Sequence, residues 1–336
     1  MNKLLEKKNN QKYEILLNSI GILLEKSRRK TYSQLNQILV NTYWEIGKMI
    51  VQYELENQEK GGYGTQLFEK ISGGLREKYG RGFSRSNVIY MRLLYLNYPK
   101  SQTLSDQLSW SHYVELLMIG NKAERSFYEK QCLLEGWSVR EFQRQKESAL
   151  FTRLALSRNK QQVRQLARQG QVVKSPRDAV KDPYVLEFLG LPENASYSEK
   201  DLEKRIIENL RLFLLELGKG FTFVSRQYRL SIANRHYYVD LVFYHRILKC
   251  FVLIDLKIGS ATPQDVGQMN LYLNYFKKEE QTAGDNEPIG IILAADREHL
   301  LVEYALGGLS NKLFVSKYQL YLPSKEELER EIKKLI

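Results

Sequence analysis

The sequence predicts a two-domain α+β protein, with an all-α N-terminal domain followed by an α/β domain that contains a mixed sheet. Apolar residues recur at helical spacing through residues 13–157, whereas period-two and β-branched segments begin only after residue 220. The charge also changes along the chain. Residues 1–180 hold 30 Lys and Arg against 17 Asp and Glu, a net +13, and residues 181–336 hold 21 against 22, a net −1.

The N-terminal half is predicted to consist of helices separated by glycine, serine and proline signals. The stretch EKGGYGT carries three glycines and breaks the apolar pattern after residue 58. Ser84 is a suitable N-cap for a helix that Pro99 stops, and Ser138 with Glu141 forms a capping-box pattern. The predicted helices cover residues 13–30, 33–58, 65–79, 84–97, 110–119, 122–135 and 138–157.

Residues 157–182 are rich in Gln, Arg and Lys and contain few large apolar residues. This composition is typical of a linker, which we place at 166–182, between a helical domain at 1–165 and an α/β domain at 183–336.

The second domain is predicted to alternate helices and strands, and its first three strands form a meander. Its predicted strands cover residues 221–231, 236–246, 249–257, 288–295 and 312–321. Its predicted helices run from Ser198 to near Gly218, over 263–279, over 298–305 and from 324 onward.

The composition, with 43% hydrophobic and 27% charged residues, is that of an ordinary soluble chain. No run of about eighteen apolar residues occurs, so no membrane span is expected. The amphipathic N-terminus lacks the apolar core of a signal peptide, which favours a cytoplasmic location. Cys132 and Cys250 form neither a disulfide framework nor a zinc pattern, and we interpret both as buried structural thiols.

Three charged residues interrupt two apolar strands within YVDLVFYHRILKCFVLIDLKIG, residues 238–259. Asp240 lies on the first strand, and Asp255 and Lys257 share one face of the second because strand side chains repeat every two residues. A turn near 246–249 brings the strands side by side, and we expect sheet curvature or a bulge to bring both carboxylates to the same end.

Converging carboxylates repel each other unless a cation lies between them. Their oxygen atoms suit Mg²⁺ or Mn²⁺, and a nearby ammonium group can orient an attacking water and offset phosphate charge. The alternative is a structural ion pair between Lys257 and one of the aspartates.

This pattern resembles the PD-(D/E)xK nuclease superfamily, in which an acidic residue on one strand precedes (D/E)xK on the next. Here the first strand reads Val239 and Asp240, and the second reads Asp255, Leu256 and Lys257. The resemblance implies a restriction-endonuclease-like fold, a divalent metal held by acidic residues and hydrolysis of phosphodiester bonds.

The resemblance extends to two helices. Glu208 lies twelve positions before Gly220, on the helix where members of the superfamily often supply another acidic ligand. Gln268 and Tyr272 in QMNLY are similar to the QxxxY box of RecB-like members, and four positions apart they share a helix face. The alternatives are a solvated Glu208, and packing or hydrogen-bonding roles against the sheet for Gln268 and Tyr272.

The wider runs FLLELGKGFTFVSRQYRL and GQMNLYLNYF resemble the YhcG-like nuclease family, in which a helical N-terminal domain precedes the nuclease domain. YWEIGKMI, YGTQLFEKISGGLREKYGRGFS and LSWSHYVELL resemble that helical domain, so the resemblance covers most of the chain. There are two departures. Val239 replaces the proline of the motif, and Asp255 stands where this family usually has Glu, which shortens the reach to a metal.

The basic excess of the N-terminal half is typical of a polyanion-binding module. Residues 65–97 read as helix, glycine-rich turn and helix, which predicts a helix-turn-helix or winged-helix-like element whose second helix meets DNA. A plain helical bundle with a solvated cationic surface is the alternative. The candidate nucleic-acid contacts are Arg76, Lys78, Arg81, Arg85, Asn87 and Arg92.

The leading hypothesis is a Mg²⁺- or Mn²⁺-dependent deoxyribonuclease of repair, recombination or defence. Its candidate catalytic residues are Asp240, Asp255, Lys257, Glu208, Gln268 and Tyr272, and its candidate metal ligands are Asp240, Asp255 and Glu208. One alternative is a catalytically inactive DNA-binding or complex-assembly protein with a degenerate nuclease fold. Another is a helical module that docks a partner complex. The sequence leaves open DNA or RNA as the substrate, and cutting of both duplex strands would favour a homodimer.

Overall fold

The computed structural model describes residues 2–56, 64–156, 160–181, 183–191, 197–296 and 312–322. The chain forms two compact units, Met1–Arg125 and Ser126–Ile336. The helices predicted at 298–305 and from 324 lie outside the described residues. Within the described residues, no helix is both long enough and apolar enough to cross a membrane.

The described part of the N-terminal unit contains helices and no β-strand. Of the two predicted forms, helix-turn-helix and winged-helix-like, these residues therefore match the all-helical one. Its α-helices are α1 (Asn2–Glu56), α2 (Gly64–Tyr79), α3 (Arg85–Asn97), α4 (Trp110–Leu117) and the start of α5 (Lys122–Glu135). Helix α1 is continuous where two helices were predicted. No helix-breaking residue occurs at 31–32, and Thr31 Oγ1 donates a hydrogen bond to Ser27 O within the helix at 3.1 Å.

Helix α3 begins where the sequence predicts, because Ser84 accepts a hydrogen bond from the Asn87 backbone N–H at 3.2 Å. Its buried residues face α1, and the two helices cross closely at Gly47. A Cβ added at Gly47 would lie 2.0 Å from Met91 O, so only glycine fits this crossing.

The C-terminal unit is built around a six-stranded mixed sheet with the order β1-β6-β5-β4-β3-β2. The strands are β1 (Tyr184–Val185), β2 (Phe221–Ile232), β3 (Arg235–His245), β4 (Cys250–Ser260), β5 (Ile289–Asp296) and β6 (Leu313–Gln319). Strands β2, β3 and β4 are antiparallel, as the predicted meander requires, and β4, β5, β6 and β1 are parallel.

Helices cover both faces of the sheet. The remaining helices are α6 (Val139–Glu147), α7 (Leu150–Leu156), α8 (Lys160–Gln169), α9 (Pro176–Ala179), α10 (Glu199–Glu208), α11 (Leu210–Leu217) and α12 (Pro263–Tyr275). Residues of α10 and α11 pack on one face, against Phe243 and Ile254, and residues of α12 pack on the other, against Val242 and Leu253. Cys132 and Cys250 are free and buried, as predicted.

Two predicted helices are each interrupted. The helix predicted at 138–157 breaks at Ala149, whose φ of 52° is left-handed, and this separates α6 from α7. The helix predicted from Ser198 to Gly218 breaks at Asn209, with φ −113° and ψ 28°, and this separates α10 from α11.

The linker predicted at 166–182 differs from the observed structure, because the compact units divide between residues 125 and 126. The end of α8 and all of α9 lie within the predicted linker, and Leu166 and Ala167 are buried. Ser126 Oγ donates a hydrogen bond to Ala167 O at 2.8 Å. The polar composition of this segment reflects the exposed faces of short helices that belong to the C-terminal unit.

Candidate active site

The hairpin register brings the two predicted strand carboxylates together. Leu241 pairs with Ile254, and continuing the same antiparallel register by one residue sets Asp240 opposite Asp255. Residues opposite each other in a sheet share a face. A turn over 246–249 accounts for this opposition, and the expectation that curvature or a bulge brings the carboxylates together stays a prediction.

Asp255 is the buried member of the pair, with 4% of its surface exposed. Burial first, and then the charge of Asp240, raise the pKa of its carboxyl group to about 7, against the opposing effect of Lys257. Such a rise in pKa indicates two carboxylates that lie close together where little water reaches them.

The ammonium group of Lys257 lies at the centre of a ring of carboxylates. Its Nζ is 3.0 Å from Asp255 Oδ2, 3.3 Å from Asp265 Oδ1 and 4.0 Å from Glu199 Oε2. Burial acts to lower the pKa of Lys257, but these carboxylates outweigh it and raise the pKa, so the ammonium remains charged at neutral pH. Sequence reasoning missed Glu199 and Asp265, which stand at the N-termini of α10 and α12.

Asp240 is held by two hydrogen bonds beyond the last paired residues of the β3–β4 ladder. Its Oδ2 accepts from the Leu256 backbone N–H at 2.8 Å, and its Oδ1 accepts from Gln227 Nε2 at 2.9 Å. Gln227 Nε2 also donates to Glu203 Oε2 at 2.6 Å. Glu203 thus joins the cluster from α10, through an amide on β2.

The helix carboxylate of this site is Glu203, whereas the prediction named Glu208. Glu203 is 7% exposed, and burial together with the nearby charge of Asp240 raises its pKa, against the hydrogen bond from Gln227. The side chain of Glu208 is 48% exposed, and its carboxylate oxygens lie 4.0 Å from Lys204 Nζ and 3.9 Å from Arg205 Nη1. Glu208 is thus the solvated helical glutamate that the sequence left as the alternative.

Tyr272 and Gln268 on α12 lie as a hydrogen-bonded pair, in which Gln268 Nε2 donates to the Tyr272 hydroxyl. Tyr272 is fully buried in the core beneath the site. Burial, and next the charge of Asp255, raise its pKa to about 12, so the hydroxyl is protonated and close enough to feel that carboxylate.

The donor set fits a divalent cation by its chemistry. Asp240, Asp255 and Glu203 offer carboxylate oxygens, the ligands that Mg²⁺ and Mn²⁺ prefer, and a bound cation would relieve the repulsion that raises the pKa of Asp255. Among the residues that the structure describes, no three His, Cys, Asp or Glu side chains are yet arranged closely enough to hold a metal ion.

The predicted nucleic-acid contacts of the N-terminal unit divide into two groups. Four of them have exposed side chains: Arg76, Lys78, Arg81 and Arg85. The other two are engaged inside the unit and hold it together. Asn87 donates to Gly82 O and accepts from Trp110 Nε1 at 2.8 Å, and Arg92 Nε lies 2.6 Å from Glu54 Oε2.

A cavity of about 400 Å³ in the C-terminal unit is separate from this cluster. Its wall includes Phe221, which pairs with His245 at the turn end of β3. Phe221 is six strand positions from Gln227, about 20 Å at about 3.3 Å per residue. The carboxylate cluster, and not the cavity, is therefore the candidate active site.

The mixed sheet, the flanking helices and the Asp240, Asp255 and Lys257 cluster define a PD-(D/E)xK nuclease domain, and the model of the YhcG PDDEXK nuclease domain matches residues 177–333. The model of the DUF1016 N-terminal domain matches residues 19–153. The chain is 37% identical to "Putative nuclease YhcG" of Escherichia coli (strain K12) over an alignment of 352 positions that covers 95% of this chain and 93% of that protein. This chain therefore belongs to the YhcG family, and the predicted resemblance is confirmed.

Solved structures also match part of the chain. A repair endonuclease from Pyrococcus abyssi has 23% identity and a TM-score of 0.29, over 39% of this chain and 50% of that one. EndoMS in its apo form has 21% identity and a TM-score of 0.27, over 39% and 49%. The EndoMS-dsDNA2 complex has 19% identity and a TM-score of 0.26, over 40% and 51%. The matched region thus spans about half of each of these chains.

Proposed function

We propose that this protein is a divalent-metal-dependent nuclease that hydrolyses phosphodiester bonds in DNA. The observation that carries the proposal is the Lys257 ammonium 3.0 Å from Asp255, beside the opposed carboxylate of Asp240. Carboxylates paired across two rigid strands and a charged lysine are the groups that metal-assisted phosphodiester cleavage requires.

The residues of the site divide the work as follows. Asp240 and Asp255, with Glu203, would hold the cation, which when bound polarises the phosphate and activates water. Lys257 orients the attacking water and stabilises the negative charge that develops on the phosphate. Asp265 and Glu199 fix the ammonium in place, and so keep the lysine extended toward the carboxylates.

Binding of Mn²⁺ or Mg²⁺ should raise the melting temperature of the protein, because the cation neutralises the repulsion between Asp240 and Asp255 only in the folded state. In Asp240→Asn most of that rise should disappear. Differential scanning calorimetry across a Mn²⁺ titration measures this effect, with Asp296→Asn as a matched carboxylate outside the cluster. An equal rise in wild type and Asp240→Asn would mean that the cation binds elsewhere.

We further propose that the N-terminal unit supplies phosphate contacts through the exposed residues Arg76, Lys78, Arg81 and Arg85. Their side chains lie on or beside α2 and the turn before α3, within ten positions of sequence. Each phosphate that a lysine or arginine neutralises adds about 0.9 to the magnitude of the log–log salt slope of binding.

Reversal of two of these charges, in Lys78→Glu with Arg81→Glu, should lower that slope by about 2 and weaken duplex DNA binding. Fluorescence anisotropy in EDTA, from low to moderate salt, measures the slope without cleavage. Lys278→Glu, an exposed lysine of the C-terminal unit, is the matched control. A slope that the double variant leaves unchanged would assign the basic surface to another partner or to solubility.

A catalytically inactive DNA-binding or assembly protein is the second candidate. Two observations favour it, namely the shorter Asp255 where the family usually has Glu and the amide of Gln227 between two site carboxylates. Measurement of cleavage decides between the two candidates.

A further inference from the structure

Gln227 stands between two carboxylates of the candidate metal site. One atom, Nε2, donates to Glu203 Oε2 at 2.6 Å and to Asp240 Oδ1 at 2.9 Å. The amide thereby joins α10 to β3. Its N–H donors reduce the repulsion between the Glu203 and Asp240 carboxylates, as a cation bound at the same place would.

The backbone of Gln227 is unusual for a strand. Its φ of 47° is left-handed, a conformation that a non-glycine residue adopts at a cost. Arg226 pairs with Leu241 and Tyr228 with Val239, so Gln227 stands opposite Asp240 on the neighbouring strand. The local backbone therefore turns this amide toward the carboxylates, and the two hydrogen bonds hold it there.

The side chain of Gln227 is exposed, so it can leave the site without disturbing the core. A cation that takes one oxygen from Glu203 and one from Asp240 needs metal–oxygen distances of about 2.0–2.6 Å. The amide nitrogen occupies this position, and both cannot be there together.

We propose that Gln227 is a latch that competes with the divalent cation for Glu203 and Asp240. This inference rests on the proposed metal-dependent function and deepens it, because it makes metal entry conditional on displacement of one amide from Glu203 and Asp240. The apparent metal affinity of the wild-type protein is then lower than its carboxylates alone would give.

Removal of the latch should tighten metal binding. Mn²⁺ titrated into the full chain, followed by isothermal calorimetry, should show a Kd about tenfold lower in Gln227→Ala than in wild type, about 1.4 kcal/mol in binding free energy. Gln227→Asn should behave like Gln227→Ala. Asparagine tolerates the left-handed backbone and keeps the amide, but is one methylene too short to reach both carboxylates.

Three further variants separate the latch from general effects on stability. Gln281→Ala removes another amide hydrogen bond of the same unit, from Nε2 to Asp285 O at 2.8 Å, and should leave the Kd unchanged. Glu203→Gln should weaken Mn²⁺ binding, because it removes one of the proposed ligands. In EDTA, the melting temperature should fall in Gln227→Ala and fall less in Gln227→Gly, which relieves the backbone cost.

The outcomes are distinguishable. A Kd that is unchanged or higher in Gln227→Ala overturns the latch and leaves the metal site standing, and a higher Kd would make Gln227 a ligand. Absence of Mn²⁺ binding by wild type and by every variant would overturn the proposed metal-dependent function, and the latch with it.

Discussion

Lys257→Ala should lower the rate of Mg²⁺- or Mn²⁺-dependent nicking of supercoiled plasmid by about 10²–10³-fold, the usual effect of removing one group that stabilises charge in a transition state. The side chain is only 19% exposed, and its Nζ lies between Asp255 and Asp265. Among the described contacts, Lys257 is the one cation that lies within this ring of carboxylates, and the truncation removes it. The neighbouring Asp255 can take up a proton, so the fold should persist.

The controls separate loss of chemistry from loss of fold. Lys204→Ala removes an exposed lysine of α10 that pairs only weakly with Glu208, and should nick plasmid at the wild-type rate. Near-ultraviolet circular dichroism and the salt slope of DNA binding should be similar in both variants. Cleavage by Lys257→Ala at the wild-type rate would place the chemistry elsewhere. Absence of nicking by the wild-type protein in either metal would favour the inactive alternative.

The strand part of this site could be predicted from the sequence, because period-two patterning fixes the strands and two-residue spacing fixes the shared face of Asp255 and Lys257. The opposition of Asp240 and Asp255 also follows from the position of the turn. The sequence therefore predicts the site well where both the two-residue period of a strand and the position of a turn can be recognised.

The positions of Glu203 and Gln227 in the site could not be predicted in this way. Glu208 was chosen by its distance from Gly220, but Glu203 and Glu208 lie about 140° apart around α10, and Glu203 is the one that is buried against the site. Gln227 gives no such signal. Its role depends on a left-handed backbone within a strand, a conformation that a glutamine in a strand-like sequence does not predict.

A buried carboxylate of the C-terminal unit is paired with cations that precede the predicted start of the nuclease domain. Glu216 on α11 is fully buried, and its Oε1 lies 2.6 Å from Arg153 Nη1 on α7. Arg144 Nη1 lies 3.4 Å from Glu216 Oε2, and Lys181 Nζ donates to the Glu216 backbone oxygen. All three cations precede residue 183. Residues of the predicted helical domain and linker therefore supply the counter-charges of a buried carboxylate in the nuclease domain.

A fragment of residues 183–336 should consequently fail to fold, whereas a fragment of residues 126–336 should fold. In the shorter fragment, the described partners of the Glu216 side chain reduce to the Val185 backbone N–H, at 3.0 Å. Removal of one partner of a buried ion pair costs about 3–5 kcal/mol, a large part of the stability of an ordinary domain. Circular dichroism and urea unfolding of the two fragments measure the difference.

The same cost can be tested in the full chain with Arg153→Met, which keeps much of the side-chain volume and removes the charge. It should lower the free energy of unfolding of the C-terminal unit by about 3–5 kcal/mol. Arg211→Met is the matched control, because Arg211 is exposed and its partner Glu141 is a capping residue. Arg153→Met combined with Glu216→Gln should recover part of the loss, since no buried charge is then left unpaired.

The pH dependence gives an independent measure of this ion pair. Burial alone would raise the pKa of Glu216, but Arg153, Lys181 and Arg144 together outweigh it and lower the pKa from 4.5 to about 2. Because the pKa is lowered on folding, the contribution of Glu216 to stability is fully present above about pH 4.5 and is lost as the pH falls toward 2. In Arg153→Met, the acid-induced loss of stability should shift to higher pH. If Arg153→Met instead shows the acid transition of the wild type and unchanged urea unfolding, Arg144 and Lys181 suffice to balance Glu216. The C-terminal unit would then not need α7 in order to fold.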